Sequence, residues 1–222
     1  FRPLRQLEAL NVQLENVEDV RLFVHGGQLL GVGTQPVGKG IGACRMCLLS
    51  FDAPLSKVEL RPLESPFGAN REKNWCPFPL GNELGFLYAC NPEVFLRLPA
   101  GENRPVAFEG RRTPGAHQLR FYDCGSTPAQ TLDGQHLFVA HRRSVRLPSL
   151  QRVYTSRLYL VSPDLRRVRR SAYFRMGAPN IEFVSGLHLS DDEVLLAYGV
   201  RERQALISRF QRSAFFAQLP LR

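Results

Sequence analysis

Four stretches of the chain open on residues able to move a proton or grip an anion: Glu18-Asp19-x-Arg21, Glu72-Lys73-Asn74, Ser126-Thr127 and Glu182. Two more clusters, His141-Arg142-Arg143 and Tyr198-Gly199-x-Arg201-Glu202-Arg203, each close an apolar run. Carboxylates such as those of Glu18, Asp19, Glu72 and Glu182 can accept hydrogen bonds from the hydroxyls of a ligand. Arginine offers a planar fork that grips phosphate or carboxylate through two parallel bonds. Lysine adds a compact charge, and asparagine and histidine add donors and acceptors for hydroxyls. Gathered at one place, carboxylates, arginines, one lysine and one histidine suit a ligand that carries hydroxyls and an anion, a sugar together with a phosphate.

Charge across the whole chain points the same way. Its 222 residues include 29 Lys+Arg against 20 Asp+Glu, a net charge of +9. Three of the 29 are lysines (Lys39, Lys57 and Lys73), which leaves 26 arginines. That bias suits a nucleic acid, a nucleotide sugar, free phosphate or an acidic glycan, and it equally suits an arginine-decorated solvated surface. The run Arg166-Arg167-x-Arg169-Arg170 follows Pro163-Asp164 and reads as a solvated hairpin edge, so nucleic acid is the least favoured partner. The five cysteines are an odd number, which favours reduced thiols and a cytoplasmic setting. Cys44 and Cys47 form a CxxC within ACRMCLLSF, a strand-like run whose residues three apart face opposite ways, so no metal is expected there. No Walker motif, dinucleotide fingerprint, Ser-His-Asp order or HExxH helix is present, and no cofactor is expected. No apolar run nears the ~20 residues of a membrane span. The chain opens at Phe1 without Met or an apolar leader, which reads as a processed or trimmed chain.

Strands must position these residues. Apolar runs are short and rich in Val, Phe, Tyr and Leu, as in residues 21–33, 84–92, 135–143, 157–164 and 194–203. His25-Gly26-Gly27, Gly81-Asn82, Asp133-Gly134 and Asp191-Asp192 are hairpin-turn chemistry. One weak helix candidate, LRQLEALNVQL, lies near the N-terminus. Four segments repeat one plan of polar start, strand, turn and second strand: ENVEDVRLFVHGGQLLGVGT, REKNWCPFPLGNELGFLYACNP, CGSTPAQTLDGQHLFVAHRR and IEFVSGLHLSDDEVLLAYGVRER. Each has strand-like sequence after it. A unit of about four strands recurring every ~50–60 residues predicts an all-β chain folded as a β-propeller, with residues 1–222 as one domain. In a propeller the polar starts of successive inner strands converge at the central channel although they lie far apart in sequence.

Asn16-Val17-Glu18-Asp19-Val20-Arg21, Glu72-Lys73-Asn74-Trp75-x-Pro77-Phe78, Ile181-Glu182-Phe183-x-x-Gly186-Leu187 and Tyr198-Gly199-Val200-x-Glu202 resemble the motifs of five-bladed propeller carbohydrate enzymes. They are similar to the motifs of the β-mannoside phosphorylases (glycoside hydrolase family 130) and the related propeller mannosyltransferases. The likeness runs from about residue 16 to residue 210. It implies glycosyl transfer with inversion, to or from phosphate or an activated sugar, with Asp19 as the general acid and Glu18 beside it. It also implies that Arg21 orients the acid or binds sugar, that Lys73 and Asn74 bind phosphate or hydroxyls, and that Glu182 and Glu202 accept hydrogen bonds from hydroxyls. His141 and Tyr198 join the sugar-binding candidates, and Arg112 and Arg142 the phosphate-binding ones. Val20 replaces the family's proline, Glu202 stands where aspartate is usual, and family chains are longer, so part of an N-terminal blade is expected to be missing or reduced.

Two other classes compete with the enzyme. A non-catalytic propeller would bind glycan or scaffold a polysaccharide-making partner, and a nucleic-acid-binding propeller would show affinity that falls steeply with salt. Among single residues, Trp75 reads as packing before sugar stacking, and His25, His117 and His136 as surface or strand histidines. His188 reads as a core histidine before a site residue.

Overall fold

The computed structural model describes residues 17–38, 42–52, 57–108, 123–146, 148, 150–177, 181–201 and 203–222. Strands β1 (Glu18–His25), β2 (Gln28–Pro36), β3 (Cys44–Phe51) and β4 (Val58–Pro62) form the first antiparallel sheet in chain order. The second holds β5 (Cys76–Leu80), β6 (Glu83–Cys90), β7 (Glu93–Leu98) and β8 (Val106–Ala107), again in order. In the third, β9 (Asp123–Gly125) and β10 (Gln130–Leu132) both pair with β11 (Gln135–Arg146), followed by β12 (Gln151–Val161) and β13 (Val168–Arg170). The fourth is β14 (Glu182–Leu189), β15 (Glu193–Val200) and β16 (Gln204–Gln211).

The four sheets are the blades of a β-propeller. Each repeat segment supplies the first two strands of one blade, as its pattern predicts. The turns follow their residue chemistry: Gly26 and Gly27 have φ of 57° and 77°, and Asp133 and Gly134 have 49° and 72°. Two consecutive left-handed residues make the hairpin turn whose twist matches the flanking strands.

Alternation along each strand sends one face of a blade to each neighbour. Val32, Met46 and Leu48 of the first blade meet Phe86 and Leu96 of the second around Trp75. Phe78 and Phe95 meet Phe138 and Tyr159 of the third, and Leu137 and Leu158 meet Val184 and Leu196 of the fourth. Strand β14 also packs against β1, which brings the last blade to the first.

The fourth blade departs from the four-strand plan. After β16 the chain turns into α1 (Arg212–Gln218), whose Phe215 is buried in the apolar cluster between the third and fourth blades. Seven residues are too few for helical periodicity to show in sequence, and so short a helix depends on its packing. The helix candidate near the N-terminus lies outside the described residues, and so does His117.

Candidate functional site

Strict alternation along β1 would put Asp19 and Arg21 on one face. A bulge separates them: the register with β2 jumps between the Glu18–Thr34 and Arg21–Val32 pairs, and Asp19 takes a left-handed φ of 54°. Glu18, Asp19 and Val20 are therefore exposed, while Arg21 turns inward and is 4% exposed. Gly33 allows the close approach, because a Cβ there would lie 2.5 Å from the Val17 side chain.

Arg21 donates from Nη2 to Oδ1 of Asn74 at 2.8 Å, across the first two blades. Its guanidinium also lies 5.9 Å from the ring centre of Phe183 in the fourth blade. Its Nε and Nη1 are buried without a hydrogen-bond partner among the described residues. Burial pulls the Arg21 pKa below its ordinary value, against the opposing effects of Cys76, Asp19 and Cys124. A buried cation with two donor nitrogens unused is costly unless a partner takes up their N–H groups.

Asn74 stands just before β5 with a left-handed φ of 64° and is itself buried, while Lys73 beside it is exposed. The same turn sends Glu72 and Trp75 into the core. Glu72 accepts from Ser65 Oγ at 2.5 Å, Trp75 Nε1 at 3.2 Å and Tyr88 OH at 3.2 Å. Trp75 therefore packs, as its first reading has it, and its indole is spent on a structural carboxylate.

From the third blade, His141 reaches the same place. Its Nδ1 lies 2.8 Å from Ser126 Oγ, and its ring is 4.8 Å from Phe183 and 5.8 Å from Tyr154. Burial pushes the His141 pKa down to about 3, helped by the Arg21 and Lys73 charges. His141 is therefore a neutral hydrogen-bonding ring at ordinary pH. Arg21, Asn74, His141, Phe183 and Tyr154, contributed by all four blades, form one polar and aromatic cluster at the convergence of the sheets, with Lys73 close enough to act on His141.

The depressed histidine has a measurable consequence. The unfolded chain takes up a proton near pH 6.5 that the folded chain refuses until about pH 3. Stability is therefore complete above pH 6.5 and is lost as pH falls, at about 1.4 kcal/mol per unit. Unfolding curves at pH 6.5 and pH 5 should show His141→Gln losing about 2 kcal/mol less than the parent over that interval. Equal losses in the two proteins would remove His141 from the buried cluster.

Other candidates lie elsewhere. Arg142, next to His141 on β11, faces the other way, and its Nε donates to Asp123 at 2.8 Å. Glu182, 1% exposed, accepts from the backbone N–H of Met176, while its neighbour Phe183 faces Arg21. Tyr198 is half-buried in the apolar cluster of the last two blades, with its OH 3.1 Å from Ser208 Oγ. Arg112 and Glu202 lie outside the described residues. His188 is exposed where a core histidine was expected, because it falls on the face of β14 turned away from Val184. His136 rests on Phe78 with ring centres 4.8 Å apart, and the five cysteines are free thiols. Cys44 and Cys47 each donate to a carbonyl, of Glu72 and Gly33 respectively.

Three residues of this neighbourhood carry no sequence signal of their own. Phe183 and Tyr154 look like ordinary strand aromatics, and Asp123 precedes a Cys-Gly pair that marks nothing. The sequence does hold one cue, the place of Phe183 beside Glu182 at a strand start.

These features define the class: a β-propeller whose blades converge on a buried arginine. Solved structures share that fold. The chain is similar to the β-1,2-mannobiose phosphorylase of Listeria innocua at 13% identity and a TM-score of 0.61, over 91% of this chain and 60% of that one. It is similar to a glycosyl hydrolase of Bacteroides ovatus at 11% identity and a TM-score of 0.64, over 89% of this chain and 65% of that one. A GDP-Man-dependent mannosyltransferase of Leishmania mexicana aligns at 13% identity and a TM-score of 0.61, over 88% and 68%. This chain thus spans about two thirds of the length of the structures it resembles, and the likeness is one of fold. No protein-family model and no curated protein matches it. No helix among the described residues is long and apolar enough to cross a membrane.

Proposed function

We propose that the chain binds a sugar and a phosphate, or a phosphate-bearing sugar donor, at the convergence of its blades and transfers the glycosyl group with inversion. One observation carries this reading: Arg21 is buried with two N–H groups unused, beside Asn74, neutral His141 and the rings of Phe183 and Tyr154. A tetrahedral oxyanion would use those donors, and a sugar face would lie on the rings. Asp19 stands at the rim, exposed until a ligand covers it. As general acid it would give its proton to the leaving oxygen while a phosphate oxygen attacks the anomeric carbon from the opposite side. Arg21 and Lys73 would hold the phosphate and Asn74 the hydroxyls, with Glu18 at the edge. Likeness of fold to mannoside-acting propellers makes a mannosyl-like group the first choice. The free thiols suit a reducing, cytoplasmic compartment.

The exposure of both Glu18 and Asp19 favours one alternative, a non-catalytic propeller that holds glycan or scaffolds polysaccharide synthesis. A screen of sugar 1-phosphates and nucleotide sugars against sugar acceptors, read by phosphate or nucleotide release, separates the two. Release with a mannosyl donor and an acceptor is the expected result. Glycan binding without release from any donor would establish the non-catalytic reading instead.

A further inference from the structure

Outward from the central cluster along the first blade, a cleft of about 650 Å³ opens, within the roughly 300–1,000 Å³ of small-molecule sites. It lies at the end of the sheet where β1 begins, because β2 ends there at Pro36, β3 starts at Cys44 and β4 ends at Pro62. One wall is the segment from Leu63 to Glu72, and the next two residues are Lys73 and Asn74 of the centre. Asn70 in the cleft and Asn74 in the centre are therefore separated by at most about 14 Å of chain. Hydrogen bonds build this wall in advance. Ser65 Oγ donates to Glu72 and accepts from the backbone N–H groups of Phe67 and Ala69 at 3.3 Å and 2.8 Å. The Cys44 N–H donates to the Asn70 carbonyl at 3.1 Å and the Glu72 N–H to the Cys44 carbonyl at 2.8 Å, which ties the wall to β3. The Glu64 N–H donates to the Asn103 carbonyl at 2.9 Å and so brings the connection between β7 and β8 to the rim.

The fold leaves the polar groups around this space unused. Arg45 donates from Nε to Gln35 Oε1 at 3.0 Å, and its two terminal nitrogens bond nothing among the described residues. Glu64, Asn70, Asn103 and Arg104 also line the cleft, are exposed, and make no side-chain hydrogen bond or ion pair among the described residues. Two guanidinium groups donate, two amides donate and accept, and one carboxylate accepts. A hydroxyl does both, so a polyol can use every one of these groups, whereas Glu64 repels an oxyanion. We infer that the cleft binds the further sugar units of a glycan whose end lies at the Arg21 cluster, which makes the acceptor an oligosaccharide; this rests on reading the centre as a sugar site. Because the wall is already hydrogen-bonded, binding orders few groups beyond the side chains themselves.

Calorimetric titration in phosphate-free buffer with β-linked mannobiose and mannotetraose tests the cleft by binding alone. The parent is expected to bind mannotetraose about tenfold to a hundredfold more tightly than mannobiose. Replacing Asn70→Ala and Arg104→Ala together is expected to remove that gain and to leave mannobiose binding as in the parent. Both side chains are exposed, so the fold should survive, and Arg104→Gln alone, which should lose part of the gain, serves if the double variant does not fold. Equal affinity of the parent for the two sugars, no binding of either, or a gain kept by both variants would overturn the inference, and phosphate binding at Arg21 would stand or fall separately. Mannotetraose held through Asn70 and Arg104 with no measurable mannobiose binding would uphold the cleft and refute the sugar site at the centre.

Discussion

With Arg21 replaced by methionine, the protein is expected to bind phosphate about 10²–10³-fold more weakly and yet to be at least as stable as the parent. The affinity follows from the bonds lost. Arg21 offers Nε and Nη1, both buried and unpaired, and each hydrogen bond to a charged group contributes about 1.5–3 kcal/mol. The stability follows from what Arg21 costs without a ligand. Removing a buried cation relieves a desolvation penalty of several kcal/mol, against about 1–3 kcal/mol for leaving Asn74 Oδ1 without its donor. A purely structural arginine tying the first blade to the second would behave oppositely, and its loss would destabilise the protein. Chemical denaturation of the two proteins without phosphate, beside phosphate titrations, reads both effects. A strongly destabilised variant, or one that binds phosphate as well as the parent, would assign Arg21 to the fold alone.

Asp19→Asn is expected to lower turnover by about 10²–10⁴-fold on a confirmed donor and acceptor, with little change in KM. The substitution removes the proton and keeps the size. It also suits the backbone, because asparagine accepts the left-handed φ of 54° that the β1 bulge imposes on residue 19. The fold and the inward turn of Arg21 should therefore survive, and a lost rate can be read as lost chemistry. Lys73→Met is the contrast. An exposed ammonium that helps to hold an anion should raise KM and leave kcat nearly unchanged. Full turnover by Asp19→Asn would end its assignment as the acid.

Much of the architecture is legible in the chain itself. Turn pairs such as Gly26-Gly27 and Asp133-Gly134 require left-handed residues, and the short apolar runs between them have the length of blade strands. Two residues from the polar starts, Arg21 and Asn74, meet at 2.8 Å from positions 53 residues apart. Finer placement is hidden for physical reasons. A one-residue bulge decides that Asp19 faces outward and Arg21 inward, and nothing in Glu-Asp-Val-Arg marks it. His141 and Arg142 are neighbours in one basic cluster, but a strand sends them to opposite faces, one to Ser126 and one to Asp123. Glu72 carries the same polar signature as Lys73 and Asn74 and turns out to be tied to Trp75 and Tyr88. Helix α1 forms because Phe215 finds an apolar cluster made by two blades, a condition that no local window contains.

A series of thermal unfolding curves in rising phosphate, with chloride adjusted to keep ionic strength constant, tests most directly whether the centre of the propeller holds an anion on Arg21. A ligand bound by the folded state alone adds about 2.7 kcal/mol at a hundredfold excess over Kd. The Tm of the parent is expected to climb steadily with phosphate, while that of Arg21→Met stays nearly flat. A parent Tm that does not move with phosphate, or one that moves equally in both proteins, would contradict an anion site at the centre.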